Sequence, residues 1–288
     1  MEWLNAVIQG VLLGGLYALF AAGLSLIFGV MRVVNIAHGD FIVLAAFIGL
    51  FVTTTLGVNP LVAIVFVVPV MAVFGYGLQR IVLNRTINTN LLSPLLVTFG
   101  LSVIIQNGLL EVFTADPHKL AAGSIEIASI ELVDGLSLGY LPVLIFIVAV
   151  LVIAALQWIF YHTSLGRAFR ATSDDPDIAQ LMGINRSHIF GLAMALAMVV
   201  VAIAGMFLAV RTSFDPFTGP SRLIFGFEAV IIGGLGNIWG TLLGGIILGV
   251  SQNIGAQINP GWQLLAGHLV FLIILALKPK GLFPRIEG

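Results

Sequence analysis

The sequence predicts an all-α protein, a polytopic transmembrane helical bundle of about eight spans with one or two glycine-broken or re-entrant helices. Of its 288 residues, 59% are hydrophobic and only 9% are charged, whereas a soluble domain carries about 25% charged residues. The charges lie in clusters, and the charge-free stretches between them match the roughly 20 residues that a helix needs to cross hydrocarbon. We therefore interpret residues 1–288 as one membrane domain that contacts lipid.

The spans are assigned from the charge-free stretches. Two stretches, 41–79 and 229–277, are too long for one crossing. Because proline resists helix continuation, Asn59-Pro60 is predicted to divide the first and Asn259-Pro260-Gly261 the second. The predicted spans lie near residues 6–30, 37–56, 61–83, 92–112, 140–161, 188–210, 228–250 and 262–278.

Basic residues in short loops predict the orientation, because cytoplasmic loops carry an excess of Lys and Arg. The loops after the first, third and fifth spans are basic and are predicted to be cytoplasmic, which puts the N-terminus outside. These loops hold Arg32, Arg80, Arg85, Arg167, Arg170 and Arg186. The extracytoplasmic loop, about residues 113–139, carries Asp116, Glu126, Glu131 and Asp134 against Lys119.

The basic C-terminal tail conflicts with eight simple crossings, which would place it outside. Lys278, Lys280 and Arg285 favour a cytoplasmic C-terminus. We expect a glycine-broken segment around residues 233–237, which does not cross simply, to resolve the conflict. The alternative is one basic cluster that departs from the bias.

Two interruptions place polar or flexible residues beside apolar spans. In Asn35-Ile36-Ala37-His38-Gly39-Asp40, the aspartate costs about 3 kcal/mol at a helix centre, so it should face a polar path or a partner. A loop at the headgroups remains open, whereas one histidine and one carboxylate poorly support a metal site. In Gly233-Gly234-Leu235-Gly236-Asn237, the glycines indicate either close helix packing or a broken helix that lines a cavity.

Isolated polar residues in the predicted spans have simpler interpretations. We interpret Gln106 as a bridge between helices, His268 as a hydrogen-bonded core histidine and Glu228 as the mark of a span's start. A net charge of −1 predicts no nucleic-acid partner, and the lack of cysteine excludes disulfides and thiolate metal sites. No cofactor is predicted.

The polar stretch 164–184 is predicted to contain a short capped helix. Asp174 or Asp175 can cap it, Pro176 suits its first position and Gly183 suits the position past its end. An apolar stripe on this helix either docks into a partner's groove or packs flat on its own bundle; it consists of Ile178, Leu181 and Met182. None of the three lysines follows a glycine, so a Walker A loop is absent, and an ATPase that drives transport would be a separate chain.

Four segments resemble the permease subunits of bacterial branched-chain amino acid ABC importers of the LivH type. They are residues 10–41, which end in NIAHGDF, residues 165–184 (LGRAFRATSDDPDIAQLMGI), residues 228–249, which begin EAVIIGGLGN, and residues 278–285 (KPKGLFPR). The resemblance implies an inner-membrane importer with a second, LivM-like permease subunit, two cytoplasmic ATPases and a periplasmic or extracellular substrate-binding protein. ATP hydrolysis would then belong to partner chains, so this chain would be a transporter subunit and not an enzyme.

The resemblance also implies roles for two sets of residues. The coupling loop, about 162–187, would meet the ATPase through Gly166, Arg167, Ala168, Asp174, Ala179, Leu181, Gly183 and Ile184. The translocation path would involve Asn35, His38, Gly39, Asp40, Gly233, Gly234, Gly236 and Asn237. The family pattern often has Glu where this chain has Asp40, which keeps the charge and shortens its reach.

Other functions remain open at this stage. A secondary transporter or channel would use Asp40 and His38 as a proton or ion site and would not need the capped helix of residues 164–184. Within the ABC family, the substrate could instead be urea, a short amide or an aromatic acid. A membrane-embedded enzyme is disfavoured, because the sequence presents no cluster of acid, base and nucleophile.

Overall fold

The computed structural model describes residues 1–86, 92–133 and 136–283, and most of them are helical. Asp134 and Arg285, which entered the charge arguments above, lie outside the described residues. The helices are α1 (Glu2–Met31), α2 (His38–Leu56), α3 (Pro60–Ile81), α4 (Leu92–Phe113), α5 (Tyr140–His162), α6 (Ser164–Asp174), α7 (Pro176–Leu181), α8 (Arg186–Arg211), α9 (Gly219–Gly233), α10 (Ile238–Ile258) and α11 (Gln263–Leu277). A two-stranded antiparallel sheet, β1 (Ser129–Val133) and β2 (Leu136–Gly139), precedes α5.

Eight helices among the described residues are long and apolar enough to cross a membrane, which confirms the predicted fold class. One predicted span is wrong. The seventh was expected at 228–250, but α9 ends at Gly233 and the crossing helix α10 runs Ile238–Ile258. The boundary between α9 and α10 lies in the glycine-rich segment 233–237. The predicted span ran through it, because hydropathy does not register a helix break between apolar residues.

The helix starts follow local capping chemistry. The side chain of Asn59 accepts a hydrogen bond from the N–H of Leu61 at the start of α3, where Pro60 takes the first position. Asn185 and Asn237 cap α8 and α10 in the same way. A side-chain oxygen at this position satisfies an N–H that has no partner within the helix.

The bundle has two ends, which we call the strand end and the loop end. The strand end holds the sheet, where Gln9 near the start of α1 donates to the carbonyl oxygen of Ser137 at 2.7 Å. The loop end holds α6 and α7, where Ser173 donates to the carbonyl oxygen of Gly29 near the end of α1 at 2.8 Å. Helix α1 therefore runs the full length of the bundle, from the strand end to the loop end.

Helices α1 and α10 lie antiparallel at very short distance. A Cβ added to Gly10 would lie 2.5 Å from the Cα of Val250, and one added to Gly14 would lie 2.5 Å from the Cα of Ile246. Gly245 and Gly249 present the matching small surface on α10. Small residues on facing helices allow this backbone approach.

Two helices begin in the middle of the bundle instead of at an end. His38, the first residue of α2, lies with its Nε2 2.9 Å from the carbonyl oxygen of Phe20, well inside α1. Gly219, the first residue of α9, contacts Asp40. From this meeting point α2 runs towards the strand end and α9 runs towards the loop end, where Gly236 approaches Gly29.

The short helix α9 resolves the conflict over the C-terminus. It adds one return to the loop end, so α10 rises to the strand end and α11 comes back. The N–H of Leu282 donates to the carbonyl oxygen of Ile232, and the side chain of Asn237 donates to the carbonyl oxygen of Phe283, both at 2.9 Å. The described tail thus lies at the loop end, beside the glycine-broken segment that the sequence indicated.

The helix directions reveal an internal inverted order. Helices α1 to α4 and helices α8 to α11 run in opposite directions at each corresponding position, and the second member of each set begins at mid-depth. The packing is equivalent as well, with α1 along α10 and α3 along α8. Inverted repeats with broken helices at mid-depth are typical of transporters.

Candidate functional site

The first polar group at mid-depth surrounds the start of α2, and we call it the Asp40 group: Asn35, His38, Asp40, Thr98, Ser102 and Gln106. The amide nitrogen of Gln106 donates to the Oδ1 of Asp40 at 2.9 Å and lies 3.1 Å from the hydroxyl of Ser102. The side chain of Asn35 accepts from the N–H of Ala37 at 3.0 Å. Gln106 bridges α4 to α2 in this way, as predicted.

The Asp40 group is closed. The exposed fractions of Asn35, His38 and Asp40 are 1%, 0% and 1%. Each of these residues has a partner within the bundle, although the Nδ2 of Asn35 and the Nδ1 of His38 remain buried without one. A solute outside the bundle cannot touch these side chains in this conformation.

Backbone contact between α2 and α9 explains the glycine before Asp40. A Cβ added to Gly39 would lie 2.0 Å from the carbonyl oxygen of Gly219, and one added to Gly219 would lie 2.2 Å from the Oδ1 of Asp40. Backbone atoms cannot move aside as a flexible side chain can. The two helix starts can therefore meet only if both positions are glycine.

The second predicted path segment, Gly233 to Asn237, lies elsewhere. It forms the turn between α9 and α10 at the loop end, and α9, about 22 Å long, separates it from the Asp40 group. Gly234 and Gly236 have φ angles of 101° and 79°, which disfavour any residue with a Cβ. Asn237 caps α10 by accepting from the N–H of Gly240 at 2.9 Å.

A second polar group involves α1, α8, α9, α10 and α11, and the sequence did not predict it as a group. We call it the Arg222 group: Tyr17, Arg211, Arg222, Glu228, Gln252 and His268. The hydroxyl of Tyr17 donates to the Oε1 of Gln252 at 2.6 Å. The Nδ1 of His268 lies 2.5 Å from the Oε1 of Glu228, whose exposed fraction is 4%.

Two interpretations from the sequence change here. Glu228 does not mark the start of a span, because it lies within α9 and is buried against α11. His268 is hydrogen-bonded as expected, but its partner is an acidic side chain, and 40% of its own side chain is exposed. The signal available was Glu228 at the edge of a long apolar stretch, shortly before the glycines at 233–237 that indicated a helix break.

The two arginines of the Arg222 group have donors that are not satisfied by the described residues. Both are half-buried and lie within electrostatic range of Tyr17. The Nη1 of Arg211 and the Nε of Arg222 are buried without a hydrogen-bond partner. Within residues 1–86, 92–133 and 136–283, neither guanidinium forms an ion pair.

The predicted coupling loop forms two short helices at the loop end. Asp175, and not Asp174, caps α7, because its Oδ1 accepts from the N–H groups of Asp177 and Ile178 at 3.0 Å. Gly183 has a φ angle of 85° just past the end of α7, as predicted. The N–H of Ile184 then bonds to the carbonyl oxygen of Ala179 at 3.0 Å, which closes the turn.

Most of the named coupling residues hold this loop together. A Cβ added to Gly166 would lie 2.2 Å from the carbonyl oxygen of Ile159, so α6 lies tightly against α5. Ala179 is buried, Ala168 is half-buried, and Arg167 and Asp174 are exposed.

The apolar stripe of α7 faces away from the bundle. The exposed fractions of Ile178, Leu181 and Met182 are 59%, 86% and 78%. Packing flat on the chain's own bundle, one of the two options left by the sequence, is therefore wrong for this stripe. Exposed apolar side chains on one face of a helix are typical of a docking surface.

Titratable groups outside the spans include one ion pair at the strand end. The Nζ of Lys119 lies 3.0 Å from the Oε2 of Glu126. The hydrogen bond from Lys119 lowers the pKa of the Glu126 carboxyl. Among the described residues, no group of three or more His, Asp or Glu side chains could hold a metal ion.

Comparison with known proteins gives a consistent result along the chain. The family described as "Branched-chain amino acid transport system / permease component" matches residues 6–277. The chain is 27% identical to the high-affinity branched-chain amino acid transport system permease protein BraD of Pseudomonas aeruginosa, over 99% of this chain and 97% of that protein. It is 26% identical to the corresponding permease LivH of Escherichia coli, over 100% of this chain and 97% of that protein.

A more distant likeness covers part of the chain. The ribose import permease protein RbsC of Haemophilus influenzae is 29% identical over 60% of this chain and 56% of its own length. No solved structure matches the chain significantly.

Proposed function

This chain belongs to the family of permease components of branched-chain amino acid transport systems, and from this premise we propose that it is the membrane-spanning subunit of an ATP-driven importer of branched-chain amino acids. In this proposal it pairs with a second, LivM-like permease subunit. Two separate ATPase subunits dock at the loop end, and a binding protein delivers the substrate at the strand end. The chain itself carries out no hydrolysis.

The observation that carries the proposal is the exposed stripe of Ile178, Leu181 and Met182 on the capped helix α7. Three large apolar side chains that face water are costly unless a partner covers them. A carrier without a partner has no need of such a surface, whereas an ATPase groove would bury it. The rigid attachment of α6 to α5 through Gly166 would transmit the movement of a docked ATPase to the spans.

Copurification tests the docking surface. We expect Leu181→Asp to release the ATPase, because a buried charge would replace the most exposed apolar side chain of the stripe. The matched control is Ile127→Asp, since Ile127 is 88% exposed but lies at the strand end. Equal ATPase recovery with Leu181→Asp and wild type would contradict the proposal.

We propose that the loop end is cytoplasmic, that both the N-terminus and the strand end face outwards, and that the chain resides in the inner membrane. The support is the distribution of charge. The loop end collects the arginines after α1, α3 and α5 and the basic tail, whereas the loop before α5 is acidic in sequence.

The lack of cysteine makes this orientation directly testable. A single Met182→Cys variant should react with a membrane-impermeant maleimide only after the cells are opened, whereas Ile127→Cys should react in intact cells. Both residues are highly exposed. The reverse labelling pattern would refute the orientation and with it the ATPase docking site.

We propose that the two predicted path segments border the path by holding the two ends of α9. Asn35, His38, Gly39 and Asp40 fix its start, and Gly233, Gly234, Gly236 and Asn237 fix its end. Because the Asp40 group is closed, its role would be to position α9 while other surfaces meet the solute. The closure also disfavours a secondary carrier that uses Asp40 and His38 as an ion site.

The substrate is tested most directly on the partner binding protein. We expect it to retain leucine, isoleucine or valine after purification, as judged by mass spectrometry of the released ligand. If the binding protein instead releases urea, an amide or an aromatic acid, the assignment as an importer stands and the proposed substrate is wrong.

A further inference from the structure

Arg211 and Arg222 differ from two arginines at the loop end, because Arg211 and Arg222 each have one guanidinium nitrogen that is buried without a hydrogen-bond partner among the described residues. At the loop end, Arg80 donates to the hydroxyl of Tyr76 at 3.2 Å, and Arg186 lies 5.1 Å above the ring of Phe190. Arg211 ends α8, and Arg222 lies in the first turn of α9, next to the mid-depth meeting point with α2. An arginine at this depth is costly unless it meets an anion or water.

Among the described residues, no acidic side chain forms an ion pair with either arginine. Asp215 lies within electrostatic range of Arg222, but its Oδ1 accepts from the N–H of Phe217 at 2.8 Å. The Oε1 of Glu228 is bonded to His268 at 2.5 Å, and its Oε2 is buried without a partner. The hydroxyl of Tyr17 donates to Gln252. The Nη1 of Arg211 and the Nε of Arg222 are therefore buried donors without an acceptor among the described residues.

The side chains of Arg211 and Arg222 are only half-buried, although one nitrogen of each is buried. Two apolar residues on the adjoining turns, Phe217 and Ile224, have exposed fractions of 51% and 49%. Charged donors without an acceptor and exposed apolar side chains thus occur within one described segment, residues 211–224, and a solute with a carboxylate and an aliphatic side chain would use both.

We propose that Arg211 and Arg222 form a subsite that binds the carboxylate of the transported amino acid. This inference rests on the proposed function. A guanidinium binds a carboxylate through two parallel N–H groups, which gives orientation as well as strength. In this proposal, the exposed side chains of Phe217 and Ile224 contact the aliphatic side chain of the solute. The phosphate of a lipid headgroup is the other source of the same anion chemistry.

Uptake by the complete complex in proteoliposomes tests the subsite. We expect Arg222→Gln and Arg211→Gln each to lower the uptake of labelled leucine by about 10- to 100-fold, the effect of losing a hydrogen bond between charged groups. ATPase stimulation by the leucine-loaded binding protein should stay at the wild-type level, because neither residue lies at the loop end. Arg222→Lys, which keeps the charge but not the fork, should lose less uptake.

The matched control is Arg80→Gln, which removes a guanidinium at the loop end and should leave uptake unchanged. Wild-type uptake in both glutamine variants would overturn the subsite. If the Arg222→Gln variant fails to assemble, leucine uptake by the Arg222→Lys variant tests the subsite instead. Undiminished uptake in that variant overturns the proposal as well.

Vesicles of different lipid composition distinguish the binding of a lipid headgroup from the binding of the solute's carboxylate. If thermal stability falls in the glutamine variants only when phosphatidylglycerol is present, and uptake per ATP hydrolysed stays at the wild-type level, the subsite is a lipid site and the proposal is wrong. A wild-type complex that takes up no leucine would instead refute the proposed function.

Discussion

The Asp40 group and the Arg222 group both include residues at the start of α9 or in contact with it, and they differ in closure. Around Asp40, the side chain of Gln106 satisfies the carboxylate, and the exposed fraction of Asp40 is 1%. Around Arg222, the Nε is buried without a hydrogen-bond partner among the described residues, and the side chain is half-buried. The closed group fits the role of holding helices together, whereas the open group retains unused binding capacity.

This difference teaches that an ionisable residue at membrane depth is not by itself a solute site. Asp40 is conspicuous in the sequence because it stands alone beside an apolar span. Arg211 and Arg222 are less conspicuous because they border a short polar connection. Only the partners of each side chain separate a structural role from a binding role.

The largest expected effect is on the backbone contact at the closed group. Gly39→Ala should destabilise the protein by about 3 kcal/mol or more, because the added Cβ would lie 2.0 Å from a backbone oxygen. Gly77→Ala is the matched control, since no atom lies within 4 Å of its added Cβ. Thermal unfolding in detergent measures both. Equal stability of the two variants would show that α2 and α9 do not meet as described.

A second test compares the two groups directly. Asp40→Ala should cost about 1–3 kcal/mol, because it removes one of the two acceptors of the Gln106 amide. Arg222→Ala should cost little stability, since its guanidinium has no partner to lose, while uptake falls. Thermal unfolding and leucine uptake of both variants check this. A large loss of stability in Arg222→Ala would assign the open group to the structure as well.

A third test concerns the pair of Glu228 and His268 within the Arg222 group. His268→Ala should cost about 1–3 kcal/mol, because a carboxylate that is 4% exposed loses its partner. The double variant with Glu228→Gln should recover part of this loss, since it removes the buried charge. A double-mutant cycle on unfolding free energies measures the coupling, and strictly additive effects would contradict a direct interaction.

The smallest expected effect is at the strand end, away from both groups. Lys119→Ala should cost less than about 1 kcal/mol, as is typical of a surface ion pair. Because the folded state lowers the pKa of Glu126, this contribution is present above the carboxyl's unfolded pKa and is lost as the pH falls through the lower, folded pKa. Unfolding of wild type and Lys119→Ala at neutral and acidic pH should converge. A difference that grows on acidification would contradict the sign.

The sequence by itself determined the solvent of this protein and most of its helices. Charge-free stretches of this length are stable in hydrocarbon, and the Asn-Pro pairs at residues 59–60 and 259–260 mark helix starts through local capping and proline chemistry. The capped helix α7 was predictable for the same reason, since Asp175, Pro176 and Gly183 act within one short segment.

Only the tertiary structure decided where α9 begins, which polar residues are closed and which are open. Hydropathy did not separate α9 from α10, because the residues on both sides of the break are apolar. Asp40 accepts a hydrogen bond from Gln106, whereas the Nε of Arg222 has no partner among the described residues. Both outcomes depend on residues that are far apart in sequence and that packing brings to one depth. Periodicity and local propensity carry no information on such contacts, so the Arg222 group appeared only when the helices were assembled.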